Sequence, residues 1–72
     1  MEWIRTPESS NIVAIKFDVS HILIQFKGGK IYSYSPCNQA EFDLLLQADS
    51  KGAWVFRNLR KKKAYKRLAI KA

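Results

Sequence analysis

The sequence contains very little cysteine, proline or glycine: one, two and three residues, respectively, among 72. A single cysteine, Cys37, cannot close an intramolecular disulfide, which excludes the disulfide-rich class of small secreted domains. The low glycine and proline content, together with a hydrophobic fraction of 47%, excludes a disordered or low-complexity chain. We therefore expect a single folded domain over residues 1–72, stabilised by an apolar core.

Long apolar runs and targeting signals are missing as well. No hydrophobic run approaches the ~20 residues that a membrane-spanning helix needs. The first five residues have neither the basic region nor the apolar region of a signal peptide. We expect a cytoplasmic protein that has no membrane partner.

The residues of catalytic and metal sites are equally scarce. His21 is the only histidine, Cys37 is the only cysteine, and no glycine-rich phosphate loop precedes a helix. A nucleophile pair or a zinc site needs more ligands than these, at closer spacing. Asp18, Glu41 and Asp43 are interpreted as turn and helix residues rather than as paired catalytic acids. The sequence predicts no catalytic residue, metal or cofactor, so we expect a protein that is not an enzyme.

Three segments with alternating apolar and polar side chains predict an antiparallel meander. Residues 12–17 and 21–27 alternate with the period of a strand and are rich in β-branched and aromatic residues. Asp18–Ser20 is expected to form the turn between them. The pair Gly28-Gly29 predicts a tight hairpin into a third strand over residues 30–35, because glycine supplies the positive φ that such turns need.

The period then changes to that of a helix. Asn38 followed three residues later by Glu41 predicts a capped helix start, and the first helix is expected over residues 39–48. A second helix is expected from about residue 52 to about residue 70, because no glycine or proline interrupts it. The predicted fold is α+β: a three-stranded antiparallel meander followed by two α-helices packed on one face.

Apolar residues of the second predicted helix fall on two sides of its axis. Phe56 and Leu59 are expected to face the sheet. The opposite side would meet the N-terminal residues or a second protomer, so we expect a monomer or a weak homodimer. This side is a candidate partner interface, formed by Trp54, Tyr65 and Leu68.

Tyr32 and Tyr34 share one face of the third predicted strand. If that face is open, the two rings could stack on unpaired bases. A two-residue Gly28-Gly29 turn would place them opposite Gln25 and Leu23. A three-residue loop would place them opposite Ile24 and Ile22, on the apolar face of the second strand. Ser33 suits solvent better than tyrosine does, which favours the core position for both rings.

A set of short motifs runs through the chain in a fixed order: Ser9-Ser10-Asn11-Ile12, Phe17-Asp18, Phe26-x-x-Gly29-x-x-Tyr32-Ser33-Tyr34, Phe42-x-x-Leu45-Leu46, Ala48-x-Ser50-Lys51-Gly52 and Leu59-Arg60. Over roughly residues 8–60 the chain resembles the KTSC domain, a small module found at the C-terminus of some lysyl-tRNA synthetases and as free-standing bacterial and phage proteins. The resemblance implies a suspected RNA-binding role, because the module is appended to an enzyme that handles tRNA. The chain departs from the family pattern at Cys37-Asn38 and Val55-Phe56. The family gives no precedent for the basic extension over residues 61–72.

Acidic residues are missing from the C-terminal third. Residues 51–72 contain nine lysines or arginines and no acid, whereas the first fifty residues contain four cations and six acids. This segregation is typical of proteins that contact polyanions, and solubility alone does not require it. The alternative is a solvated, disordered lysine tail. The candidate phosphate-binding residues are expected on the second helix and its helical extension: Arg57, Arg60, Lys61, Lys62, Lys63, Lys66 and Arg67.

Together these features predict a non-enzymatic nucleic-acid-binding protein, with RNA as the first expected ligand and single-stranded DNA as the second. The alternative is a small protein-interaction module, such as a phage or bacterial regulatory factor that binds an acidic partner protein. In that case the positive charge would steer the encounter, and the Trp54 side of the second helix would supply an apolar centre. Attachment to an anionic membrane surface is disfavoured because the C-terminal apolar face is short.

Overall fold

A five-stranded antiparallel sheet, covered on one face by two helices, forms the α+β domain seen in the computed structural model, which describes residues 3–68. The strands lie across the sheet in chain order: β1 (Ile4–Arg5), β2 (Ile12–Asp18), β3 (His21–Phe26), β4 (Ile31–Ser35) and β5 (Ala64–Leu68). The helices are α1 (Gln39–Gln47) and α2 (Lys51–Val55), and α2 continues as a π-helical turn over Phe56–Arg60. Among the described residues, no helix has the length and apolar character of a membrane span.

The central hairpins follow the sequence prediction closely. Asp18 pairs with His21 across a two-residue turn, and the chain reverses again at Gly28 and Gly29, whose φ angles are 96° and 89°. The Phe26 backbone N–H donates to the Lys30 carbonyl at 2.8 Å, which closes a three-residue loop over residues 27–29. This loop length determines which side chains of β4 lie opposite which side chains of β3.

The first turn of α1 contains the predicted reciprocal cap. The Asn38 side-chain oxygen accepts from the Glu41 backbone N–H at 2.8 Å. In return, Glu41 Oε1 accepts from the Asn38 backbone N–H at 3.0 Å. Two backbone donors that a helix start would leave unpaired are thus satisfied, and α1 begins where the sequence indicates.

The core lies between one face of the sheet and the two helices. Tyr34 is 1% exposed, and Phe17 stacks on Phe42 of α1 with ring centroids 5.6 Å apart. Val55 and Leu59 are also buried, which is the four-residue spacing expected where one side of a helix packs on a sheet. The buried cluster comprises Ile12, Ile15, Phe17, Ile22, Ile24, Tyr34, Cys37, Phe42, Leu45, Val55 and Leu59.

The prediction of a three-stranded sheet is wrong, because a further strand lies on each side of the meander. Two residues form β1, with Ile4 opposite Ile15 of β2. On the other side, Ser33 of β4 lies opposite Lys66 of β5. A strand as short as β1 shows too few residues for any alternation to be visible in the sequence.

The prediction of one long second helix is also wrong, and so is that of a helical extension from residue 61 as far as residue 68. The helix ends at Arg60, and residues 64–68 form β5, while residues 69–72 lie outside the described chain. A continued helix would place like charges four residues apart, as in Lys62 with Lys66 and Lys63 with Arg67, with no acid to offset them. The strand instead pairs the backbone groups of β4 that would otherwise form an open sheet edge.

The position of Phe56 is a smaller correction. This ring was expected to face the sheet, but it is 47% exposed, and Val55 occupies the inward position instead. Trp54, which was expected on the opposite side of the helix, is partly buried against the core. The inward side of the helix therefore runs through Val55 and Leu59, and Phe56 lies beside it.

Candidate nucleic-acid interface

Seven cations and no acid lie within residues 57–67, which we call the basic segment. The structure describes the whole segment, and it is not one helix. Arg57 and Arg60 lie on the π-helical turn, Lys61 to Lys63 lie in the connection that follows it, and Lys66 and Arg67 lie on β5. All of these side chains are exposed except Lys63, which is of intermediate exposure. The predicted cations thus follow one another along a single stretch of the chain, and six of the seven side chains are exposed.

Lys63 differs from the rest of the basic segment because it has a carboxylate partner. Its Nζ lies 3.0 Å from Glu41 Oε2, and both side chains are partly buried. The hydrogen bond from Lys63 holds the pKa of Glu41 below its ordinary value. Within residues 3–68 the other ion pair joins Lys51 to Glu8 at 2.9 Å, so the remaining cations of the basic segment have no carboxylate partner there.

Two cationic side chains of the basic segment lie over one exposed aromatic ring. The guanidinium carbon of Arg60 lies 5.6 Å from the centroid of the Phe56 ring, and Lys61 Nζ lies 5.1 Å from it. Both distances are within the range of a cation–π interaction. The exposed Phe56 ring therefore holds these two positive charges close together.

Part of this arrangement has a purely structural explanation. Cations near the C-terminal end of a helix interact favourably with the unpaired carbonyl groups there. Arg57 and Arg60 occupy the last turn of the helical segment, and Lys61 follows it. The helix end does not account for Lys66 or Arg67, which lie on the edge strand.

Lys66 and Arg67 point to opposite faces of the sheet. Arg67 lies opposite Tyr32, on the face that carries the core, and Lys66 lies opposite Ser33, on the other face. The basic segment therefore extends around the β5 edge of the sheet and is not confined to one face.

The tyrosine pair on β4 occupies the core face. Ile24 lies opposite Tyr32 and Ile22 lies opposite Tyr34, as the three-residue loop requires. The core interpretation of Tyr34 is confirmed, and its buried ring is unavailable to a base. Burial also raises the pKa of the Tyr34 hydroxyl, a rise that the nearby positive charge of Arg60 opposes.

The Tyr32 ring is only partly buried, but its neighbours leave it little free surface. Phe26 meets it edge-on at a centroid distance of 5.6 Å, and Tyr65 of β5 stacks on it at 5.4 Å with only 12° between the ring planes. Tyr65 itself is 63% exposed. Among these stacked rings, the one exposed at the surface is therefore Tyr65 and not a tyrosine of β4.

The three residues of the candidate partner interface lie in different parts of the structure. Tyr65 and Leu68 are three positions apart on β5, so their side chains lie on opposite faces of the sheet. Trp54 lies on α2 and packs against the core. A shared apolar side of these three residues requires one continuous helix, and in the structure they do not form one apolar patch.

The outer face of the sheet is a surface that the sequence interpretation missed. Lys16 Nζ lies 5.7 Å from the centroid of the Trp3 ring on this face. A groove of about 390 Å³ is bordered by residues of β3, β4 and β5, including His21, Ser33 and Lys66. The polar residues that alternate with apolar ones in the strands indicate this surface in the sequence. Its full extent depends on β5, which the sequence did not predict.

Two of the motifs that carry the family resemblance come together in space. Residues 9–11 and 50–52 line one polar cavity of about 230 Å³, which is also bordered by the Lys51–Glu8 ion pair. The Ser9 hydroxyl accepts from the Ile12 backbone N–H at 3.1 Å, and the Ser50 hydroxyl caps α2 by accepting from the Ala53 N–H. These hydroxyls therefore organise the backbone around the cavity.

The isolated cysteine and histidine differ in their exposure. Cys37 is buried, its thiol donates to the Tyr34 carbonyl at 3.3 Å, and burial raises its pKa. His21 lies exposed at the start of β3. Over residues 3–68, no group of three or more histidine, cysteine or carboxylate side chains is arranged to hold a metal ion.

A comparison with models of protein families finds a match to this chain. The model of the KTSC domain matches residues 8–65, which is most of the chain, and extends into the first residues of β5. No curated protein matches the chain. The chain belongs to the KTSC domain family.

Proposed function

We propose that this protein binds nucleic acid without catalysing a reaction, with RNA as the first ligand and single-stranded DNA as the second. Its basic segment would contact the phosphates. The supporting observation is that exposed cations free of carboxylate partners follow one another from the π-helical turn, through the connection, to the edge strand. Such a surface neutralises several phosphates at once, because each contact releases counterions and adds to the affinity.

A single-stranded or irregular ligand fits this surface better than a regular duplex does. Reading the major groove requires an exposed helix or ribbon with cationic or amide side chains. The first turn of α1 instead carries Glu41, with Asp43 exposed beside it, and α2 is only five residues long. A strand that bends around the β5 edge can follow the cations on both sheet faces.

An acidic protein partner is the less favoured alternative. A stable protein interface needs a desolvated apolar centre within its charged rim. The candidates for that centre, Tyr65 and Leu68, lie on opposite faces of the sheet, and Trp54 packs against the core. A homodimer formed through β5 is disfavoured as well, because the charges of Lys66 and Arg67 would meet those of the second copy. We therefore propose a monomer that acts in the cytoplasm, where the unpaired Cys37 stays reduced.

Fluorescence anisotropy of a labelled single-stranded RNA, measured from low to high salt, tests this proposal. We expect binding at low salt and a steep loss of affinity as the salt concentration rises. Unlabelled polyglutamate serves as the competitor for the protein-partner alternative and should displace the RNA only weakly. Absence of RNA binding at low salt would refute the proposed function.

A charge-matched pair of variants locates the interface. The double variant Lys61→Gln/Lys62→Gln removes two cations of the basic segment that have no carboxylate partner in the described chain. The control Lys27→Gln/Lys30→Gln removes two exposed cations at the β3–β4 hairpin, the end of β4 remote from Lys61 and Lys62. Only the first pair should weaken RNA binding strongly. Equal weakening by both pairs would show that net charge alone is responsible.

A further inference from the structure

Tyr65 is the most exposed aromatic ring of the Tyr32–Tyr65 stack, and it stands at the edge of the sheet. The ring is 63% exposed, although a tyrosine on a strand usually covers part of the neighbouring surface. It lies on β5, beyond which no further strand of the described chain pairs. One side of the ring is therefore turned toward solvent, while the other meets β4.

The tyrosine rings of β4 fix the position of the Tyr65 ring. Tyr32 stacks on it with 12° between the planes, and Tyr34 contacts it at a tilted 45° with a centroid distance of 6.2 Å. Tyr32 is in turn held by the edge of Phe26. A side chain fixed in this way loses little conformational entropy when a flat partner stacks on its open side.

Cations lie near the ring. Arg67 lies two positions further along β5 on the same face, opposite Tyr32. The π-helical turn that carries Arg60 also contacts β5, and the positive charge of Arg60 acts on the pKa of Tyr34, which contacts Tyr65. An exposed aromatic ring close to cationic side chains is the arrangement that binds a base together with its adjacent phosphates.

We propose that Tyr65 stacks on an unpaired base, with Arg67 and Arg60 contacting neighbouring phosphates. This inference rests on the proposed function and adds a ligand class to it: the preferred ligand is single-stranded, because a paired base has no free face to offer. It also assigns the stacking role to β5, in place of the buried Tyr34 of β4.

The ordinary explanation of Tyr65 is that cross-strand aromatic pairs stabilise a sheet. That explanation predicts a loss of stability on substitution, but it predicts no preference for nucleic acid that contains bases. The two explanations therefore differ in a measurable way.

The test compares a labelled oligothymidine of about ten nucleotides, within the site sizes of small single-strand-binding folds, with an oligonucleotide of the same length whose central sugars carry no base. The wild-type chain should bind oligothymidine about tenfold more tightly than the abasic oligonucleotide, the effect of one stacked base. Tyr65→Val, which keeps a strand-forming residue, should bind both oligonucleotides with the affinity that the wild type has for the abasic one. Tyr65→Phe, which keeps the ring, should retain the preference.

Each other result has a definite meaning. If the wild type binds both oligonucleotides equally and with steep salt dependence, base stacking is refuted while the proposed function stands. If Tyr65→Val loses affinity for both oligonucleotides in parallel, the ring has only a structural role and the inference is refuted. If the wild type binds neither oligonucleotide at low salt, this inference fails, and the RNA-binding measurement described above decides separately whether the proposed function stands.

Discussion

Lys63 and Glu41 join the connection before β5 to the first turn of α1, with Lys63 Nζ 3.0 Å from Glu41 Oε2. Glu41 also completes the reciprocal cap of α1 through its other carboxylate oxygen. The Lys63 backbone N–H donates to the Leu59 carbonyl at 2.8 Å, which closes the end of the helical segment. One carboxylate thus stabilises a helix start and fixes the residue that precedes the edge strand.

This pairing predicts a pH-dependent contribution to stability. The folded-state pKa of Glu41 is held below its ordinary value, chiefly by the hydrogen bond from Lys63. The contribution is therefore complete above the unfolded-state pKa and is lost as the pH falls through the folded-state pKa. Glu41→Gln keeps an acceptor for the cap but removes the charge. The thermal midpoint of the wild type should exceed that of Glu41→Gln at neutral pH, and the difference should shrink toward about pH 3.

The Lys51–Glu8 ion pair provides the control, because the pKa of Glu8 is also lowered but the pair involves neither Glu41 nor Lys63. The hydrogen bond from Lys51 is the largest cause that lowers the pKa of Glu8. Glu8→Gln should therefore leave unchanged the pH dependence of the stability that Glu41 contributes. A difference between wild type and Glu41→Gln that stays constant across the pH range would contradict the role assigned to the ion pair.

The edge strand predicts an alternating pattern of amide hydrogen exchange. The Phe26–Lys30 hydrogen bond and the register determine which backbone groups of β4 face β5, namely those of Ile31, Ser33 and Ser35. On β5, the N–H groups of Ala64, Lys66 and Leu68 should therefore exchange slowly, whereas those of Tyr65 and Arg67 should exchange fast. Uniform protection from residue 61 to residue 68 would indicate a helix and contradict the strand.

The β2–β3 turn contains a strained residue whose replacement should stabilise the fold. Val19 has a φ of 59° and is 85% exposed, so a β-branched side chain occupies the left-handed region without any compensating contact. Val19→Asn should raise the free energy of unfolding by about 1 kcal/mol. For a domain of this size such a gain raises the thermal midpoint by about 4–8 °C.

The neighbouring residue provides the matched control for this turn. Ser20 lies in the same turn but is not among the described residues with positive φ. Ser20→Asn should therefore give no comparable gain in the thermal midpoint. Equal midpoints for Val19→Asn and the wild type would show that the left-handed backbone at Val19 costs no measurable stability.

Phe56 should matter more for binding than for stability. Its exposed ring gathers Arg60 and Lys61, so Phe56→Leu should release both cations and weaken RNA binding by about two- to fivefold for each cation released. The free energy of unfolding should change by less than about 0.5 kcal/mol, as is usual for surface positions. Leu44→Ala removes another exposed apolar side chain, on α1, and should leave binding unchanged. A similar decrease in affinity in both variants would refute the organising role of the ring.

The central part of the fold could be predicted because its signals are local. The alternation of β2 and β3, the glycines of the β3–β4 hairpin and the Asn38–Glu41 cap each depend on residues a few positions apart. The position of Tyr34 followed from loop length, which the sequence left open between two and three residues. The Phe26–Lys30 hydrogen bond shows that three is correct.

The edge strand could not be predicted, because its conformation is determined by a distant part of the chain. Residues 64–68 contain no glycine or proline, and in isolation they suit a helix as well as a strand. The open edge of β4 provides partners for their backbone groups, and tertiary pairing of this kind overrides local propensity. The same error misplaced the basic segment, since a helix would have put Arg57, Arg60, Lys63 and Arg67 on one arc.

The salt dependence of RNA binding tests the central claim most directly, namely that the basic segment contacts phosphates. The slope of log affinity against log salt concentration counts those contacts, at about 0.7 per phosphate of a single strand. Lys61→Gln/Lys62→Gln should reduce the magnitude of the wild-type slope by about 1.4. Lys27→Gln/Lys30→Gln, which removes the same charge, should leave the slope unchanged. An unchanged slope in the first variant, or equal reductions in both, would contradict the claim.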